Sequence, residues 1–169
     1  MQVISKMAEE ATGPASRIVA FLQQIGIDVI REQSPADAFL PDMSVRNGAL
    51  VVDFEALRYP GDMLHEAGHI AVTDPVLRPT LCEVSSDPAE EMAAIAWSYA
   101  AAIASGIDPA LVFHDEGYGN AGGEHIVQAL AGGGTIGQPM LHFWGMCTDG
   151  NIDKASSGPV FPTMKRWLR

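Results

Sequence analysis

The chain has 169 residues, 47% hydrophobic and 18% charged, a balance that builds a buried core and argues against intrinsic disorder. Its formal net charge is −11, and the basic residues are scattered apart from Lys165, Arg166 and Arg169. Nucleic acid and anionic membrane are therefore excluded as partners, since each needs a concentrated basic surface.

This length suits one domain, read here as residues 1–169. Cys82 and Cys147 lie too far apart in sequence to suggest a disulfide framework or a cysteine-rich metal knuckle, so both are expected to be reduced thiols. Met1 to Lys6 runs into Glu9 and Glu10 without the apolar stretch of a signal peptide. No apolar run approaches the ~20 residues that span a bilayer, and a cytoplasmic location is expected.

In chain order, Ile18, Phe21, Leu22 and Ile25 repeat at helical spacing after Pro14, with Gly26 placed to end the helix. Ile27 and Val29 begin a short strand that Ser34-Pro35 breaks. Phe39 to Val45 and Ala49 to Phe54 read as a hairpin around Asn47-Gly48, a pair that tolerates the positive φ of a tight turn. After Pro60-Gly61, Met63 to Val72 has the composition of a buried helix, which Asp74-Pro75 ends. Pro75 to Ser86 reads as a loop bordering a cleft. Asp87-Pro88-Ala89-Glu90 has the form of an N-cap, a first-turn proline and a capping-box glutamate, opening an alanine-rich helix to Ser105-Gly106. Beyond it come glycine-rich stretches, 117–123 and 132–137, around a helical segment from Glu124 to Ala131. Neither stretch matches a phosphate-binding or dinucleotide fingerprint.

The chemistry concentrates in His65-Glu66-Ala67-Gly68-His69. Residues four apart share one helix face, so both imidazoles can reach one metal ion, with Glu66 beside them to accept a proton from a metal-bound water. Gly68 is a poor helix-interior residue and implies a close approach by another backbone or a substrate. A catalytic zinc takes three protein ligands, so a third is needed. Glu90 and Glu91 are the candidates. With Met92, Ile95, Tyr99 and Ile103 taken as the apolar face of their helix, Glu91 flanks that face and Glu90 points away. Glu90 also has a capping task, so Glu91 is the expected ligand.

This order of elements, with Glu91-Met92-Ala93-Ala94 and the following Trp97, resembles the gluzincin metallopeptidases, and among them the small ImmA/IrrE-like group. The resemblance covers about Phe39 to Ser105. It implies a zinc-dependent peptidase acting on a peptide or protein, with a small sheet packed on a central helix pair. Two departures stand out: no Leu-Leu-x-Pro follows Ala94, and the C-terminal third has no counterpart.

The expectation is thus an α+β fold bearing a zinc site of His65, His69 and Glu91. Glu66 would be the general base and then the proton donor to the leaving amine. An oxyanion donor would come from His114, Tyr118, His125 or His142; Tyr118, in a polar glycine-flanked loop, is preferred. His142, Met140, Trp144 and Met146 read as core residues. Two competing readings are a metal-binding or partner-recognition module without turnover, and chemistry on a small molecule in a closed pocket. Oligomeric state and the physiological metal are left open.

Overall fold

The computed structural model describes residues 13–33, 42–119, 121–155 and 157–169. The expected break at Ser34-Pro35 and the first residues of the expected hairpin, Phe39 to Pro41, lie outside them. Within the described residues the chain forms six α-helices and one three-stranded mixed sheet, an α+β arrangement.

Helix α1 (Pro14–Gln24) buries Ile18, Phe21 and Leu22 and ends at Gly26, whose φ of +91° suits glycine. Strands β1 (Val29–Arg31), β2 (Met43–Arg46) and β3 (Ala49–Val52) follow. β3 is central, parallel to β1 and antiparallel to β2, with Val45 opposite Leu50. The β2–β3 turn is Asn47-Gly48, with φ of 52° and 73°, as its residue types demand. The central strand is buried along its length, whereas β2 alternates Met43 and Val45 inward with Ser44 and Arg46 outward.

The motif helix α2 (Asp62–Val72) packs most extensively against α3 (Pro88–Ser105). The face of α3 differs in part from expectation: Ile95 and Tyr99 are buried, but Met92 is 40% and Ile103 49% exposed, while Ala93, Ala94, Ala96, Ala100 and Ala101 are fully buried. Helices this close meet through small residues, so the contact stripe runs Glu91, Ala94, Ser98. A Cβ at Gly68 would come within 3.0 Å of the Ala94 carbonyl oxygen. Glycine is what lets the two backbones meet there.

The expected capping box is also corrected. Asp87 does cap α3, its carboxylate accepting the Ala89 N–H at 2.8 Å, but its own N–H goes to Ser85 Oγ. The Glu90 carboxylate instead faces Arg169 at 3.7 Å. Between α2 and α3 lies one short 3₁₀ turn, Arg78–Thr80.

The C-terminal third is more helical than its glycines suggest, with α4 (Asp115–Tyr118), α5 (Gly122–Ala131) and α6 (Gln138–Phe143). The polar loop expected at 113–119 is therefore largely one helical turn, capped by the His114 side chain, which accepts the Gly117 N–H. Met146 is buried, Met140 and Trp144 pack partly buried on the core, and His142 Nδ1 accepts the Asp149 N–H at 3.2 Å. Trp97 is buried between Phe21 and Trp167, and its indole N–H donates to the Trp167 carbonyl. Cys82 and Cys147 are free thiols. Among the described residues, no helix is long and apolar enough to cross a membrane.

Candidate metal centre

Helical spacing puts His65 and His69 on one side of α2, and the tight contact at Gly68 brings α3 close enough for Glu91 to face them. The His65 and His69 Nε2 atoms lie 3.3 Å apart. One carboxylate oxygen of Glu91 is 3.1 Å from His69 Nε2, and the other is 3.6 Å from His65 Nε2. One ligand atom from each residue lies within 4.8 Å of the others, a group that could hold a metal ion.

These separations fit a shared ion. Bonds of about 2.0–2.2 Å at tetrahedral angles put neighbouring ligand atoms roughly 3.3–3.6 Å apart. Without an ion, the two Nε2 lone pairs would repel unless a proton lay between them or His69 donated to Glu91. A cation takes over that position in the same geometry.

The electrostatics favour the ligating protonation states of His65 and Glu91. Burial holds His65 down to about 4, so it is neutral at pH 7, with the charge of His69 adding to the effect. The bond with His69 holds the Glu91 carboxyl below its usual range despite partial burial. Neutral imidazoles and an ionised carboxylate are the forms that bind metal.

The end of α2 is fixed from outside. The Arg78 guanidinium donates to the carbonyls of Ile70, Ala71, Thr73 and Arg169, and Thr73 Oγ donates to the His69 carbonyl at 2.7 Å. These contacts satisfy carbonyls that a helix end otherwise leaves unpaired. Nothing in the local sequence around Arg78 announced this role, because the Arg169 partner lies 91 residues away.

His65 and Glu91 line a cleft of about 350 Å³ with Asp42, Met43, Asp62, Glu66, Gly117 and Tyr118, while His69 is buried. No residue of the 75–86 stretch lines it, contrary to expectation. Burial raises the Glu66 carboxyl above its ordinary range, while His69 pulls it back. The Tyr118 hydroxyl is 3.3 Å from His65 Nδ1, so it can orient that imidazole, and burial raises its pKa, keeping the phenol protonated.

The other histidines have different places. His114 accepts the Gly117 N–H on Nδ1, which leaves Nε2–H to donate to Asp62 at 2.8 Å, and its ring stacks on Tyr59. It therefore holds a carboxylate of the cleft wall. His125 is exposed on α5, and His142 is occupied by Asp149. Of the four donor candidates, only Tyr118 is among the residues lining the cleft.

Fold and cleft together define a small α+β protein with a two-histidine, one-glutamate group able to bind a metal ion. Comparison with protein-family models, curated proteins and solved structures gives no match.

Proposed function

We propose that this protein is a zinc-dependent hydrolase, a metallopeptidase of the gluzincin type resembling the ImmA/IrrE-like group. The observation that carries the reading is the convergence of His65, His69 and Glu91, two of which, His65 and Glu91, line a cleft that Glu66 also lines. His₂Glu is a ligand set of catalytic zinc, and it leaves room for water or substrate. When bound, the ion supplies a Lewis acid that makes water acidic near neutral pH and polarises a carbonyl.

The side chains then divide the work. Glu66 follows His65 in the motif, and its carboxylate takes a proton as water attacks the carbonyl carbon. Its raised pKa narrows the gap to neutrality and helps it return the proton to the leaving nitrogen as the C–N bond breaks. Tyr118 can accept a hydrogen bond from His65 through its oxygen and donate its own O–H to the carbonyl oxygen as that gains negative charge.

β2 supports a polymeric substrate. Among the described strands it pairs only with β3, and Met43 at its start lines the cleft, so the edge that no described strand covers can receive an extended chain. Besides the ligand Glu91, three cleft-lining residues are carboxylates and, among the described residues, none is lysine or arginine, which favours neutral or basic peptide segments. The exposure of Glu91, 44% of its side chain, favours turnover over a sealed binding module.

The test is incubation of zinc-loaded protein with an unfolded protein substrate, with cleavage sites read by mass spectrometry. The reading expects new termini with wild type and none with Glu66→Gln. Equal cleavage by both would point to a contaminant and contradict it.

A further inference from the structure

A second polar site lies away from the cleft, where α6 meets the loop Asp149-Gly150-Asn151-Ile152-Asp153. Two buried oxygens there find no donor among the described residues: Asp149 Oδ2 and Gln138 Oε1. Asp149 is 2% exposed and Gln138 3%. Both residues line one cavity of about 230 Å³, together with Tyr99 and Asn151. The side-chain amide of Gln138 donates through Nε2 to the Gly134 carbonyl, which fixes Oε1 as the end without a partner. Among the described residues, no lysine, arginine or histidine lines the cavity. Buried acceptors are normally satisfied, and a buried carboxylate oxygen needs a donor or a cation.

We infer that Asp149 and Gln138 bind a hard divalent cation, calcium, at this cavity. The donors are oxygens, with no sulfur or imidazole lining the space, which selects against zinc. Asp149, Asn151 and Asp153 alternate in the spacing by which calcium loops present their first three ligands. The loop already curls on itself: Asp149 Oδ1 accepts the Asn151 N–H at 2.8 Å, and the Asp149 carbonyl accepts those of Ile152 and Asp153. Asn151 Nδ2 donates to Gly133, turning its amide nitrogen away from ligation. Lys154 stands where such loops carry their turn glycine, and Asp153 is not among the residues lining the cavity, so the site is a partial loop completed by Gln138 from α6, main-chain carbonyls and water. Affinity in the weak class, on the order of 10⁻⁴–10⁻³ M, is expected of so few charged ligands. The bound ion ties α6 to the 149–153 loop and stabilises the glycine-rich third of the chain.

The site is independent of the zinc reading and is tested separately. Full-length protein freed of metal with a chelator is titrated with terbium, whose emission Tyr99 in the cavity wall can sensitise, and then with calcium as competitor. Thermal unfolding is followed in calcium and in magnesium. Wild type should give emission that calcium displaces and a calcium-dependent rise in Tm. Asp149→Asn, nearly isosteric, should weaken calcium binding at least about tenfold, the loss of a charged ligand. Gln138→Leu should weaken it too, and it carries the test if Asp149→Asn does not fold. His65→Ala should leave it unchanged. The inference is overturned if wild type shows no response to millimolar calcium, which would assign the two oxygens to buried water. Equal calcium binding by wild type, Asp149→Asn and Gln138→Leu overturns it as well.

Discussion

Gly68→Ala probes the contact on which the ligand geometry depends. The added methyl gains helix propensity of about 1 kcal/mol. Its Cβ would lie 3.0 Å from the Ala94 carbonyl oxygen, 3.2 Å from Ser98 Oγ and 3.3 Å from Ala94 Cα, all closer than ordinary van der Waals contact. Two of those atoms are backbone of a buried helix and cannot rotate away, so the helices must part by a few tenths of an ångström. Overpacking of this kind costs about 1–3 kcal/mol, and the balance is a loss of roughly 0–2 kcal/mol. The sharper effect falls on the metal. His65 and His69 stand on one side of the contact and Glu91 on the other, so any parting stretches the ligand set. Zinc affinity should fall about tenfold, or 1.4 kcal/mol. Urea unfolding of the metal-free protein measures the first effect, and competition with a chromophoric chelator the second. Ser98→Ala added to Gly68→Ala should not restore binding, because the Ala94 carbonyl remains. A Gly68→Ala protein about 1 kcal/mol more stable than wild type, with unchanged zinc affinity, would refute the reasoning.

Three further outcomes are expected. Tyr118→Phe should retain zinc but lower kcat on the order of 10²-fold, the loss typical of one oxyanion donor; a rate within twofold of wild type would leave Tyr118 only orienting His65. Among matched peptides, those with lysine or arginine near the scissile bond should be cut faster than those with aspartate or glutamate, by a ratio that shrinks with added salt; a preference for acidic peptides would contradict the charge of the cleft. Metal-free protein should lose stability in mild acid. The folded His65 value of about 4 lies below the unfolded ~6.5, so its contribution is complete above 6.5 and is lost as pH falls through 4, about 3 kcal/mol at most. Glu91, also held low, is lost in the same direction, while Glu66, held high, partly opposes them. Urea midpoints that stay flat or rise from pH 7 to 4 would overturn this.

How much of this was legible in sequence depended on the range of the interactions. Asn47-Gly48, Pro14, the Asp87 cap and Gly106 act through local backbone chemistry, and they end or turn their elements as read. His65 and His69 needed only helical periodicity. Glu91 was chosen for a reason that holds only in part: Ile95 and Tyr99 are buried as read, but Met92 and Ile103 are exposed, and small residues, Ala94 and Ser98, make the close contact with Gly68. Weighting side chains by hydrophobic bulk hides a helix face made of alanine, serine and glycine. Glu90's pairing with Arg169, and the anchoring of α2 by Arg78, join residues too distant in sequence for periodicity to connect. His114 looked free to meet a substrate because its partner, Asp62, lies 52 residues earlier.

The most direct measurement of the central claim is the metal content of protein purified without added metal, read by elemental analysis for wild type, His65→Ala, Glu66→Gln, Glu90→Gln and Glu91→Gln. About one zinc per chain is expected, matching the one three-ligand group among the described residues, retained in Glu66→Gln and Glu90→Gln and lost or weakened in His65→Ala and Glu91→Gln. Wild-type protein that carries no metal and takes up none on zinc titration would contradict that claim, and would leave the two histidines as structural neighbours of Glu91.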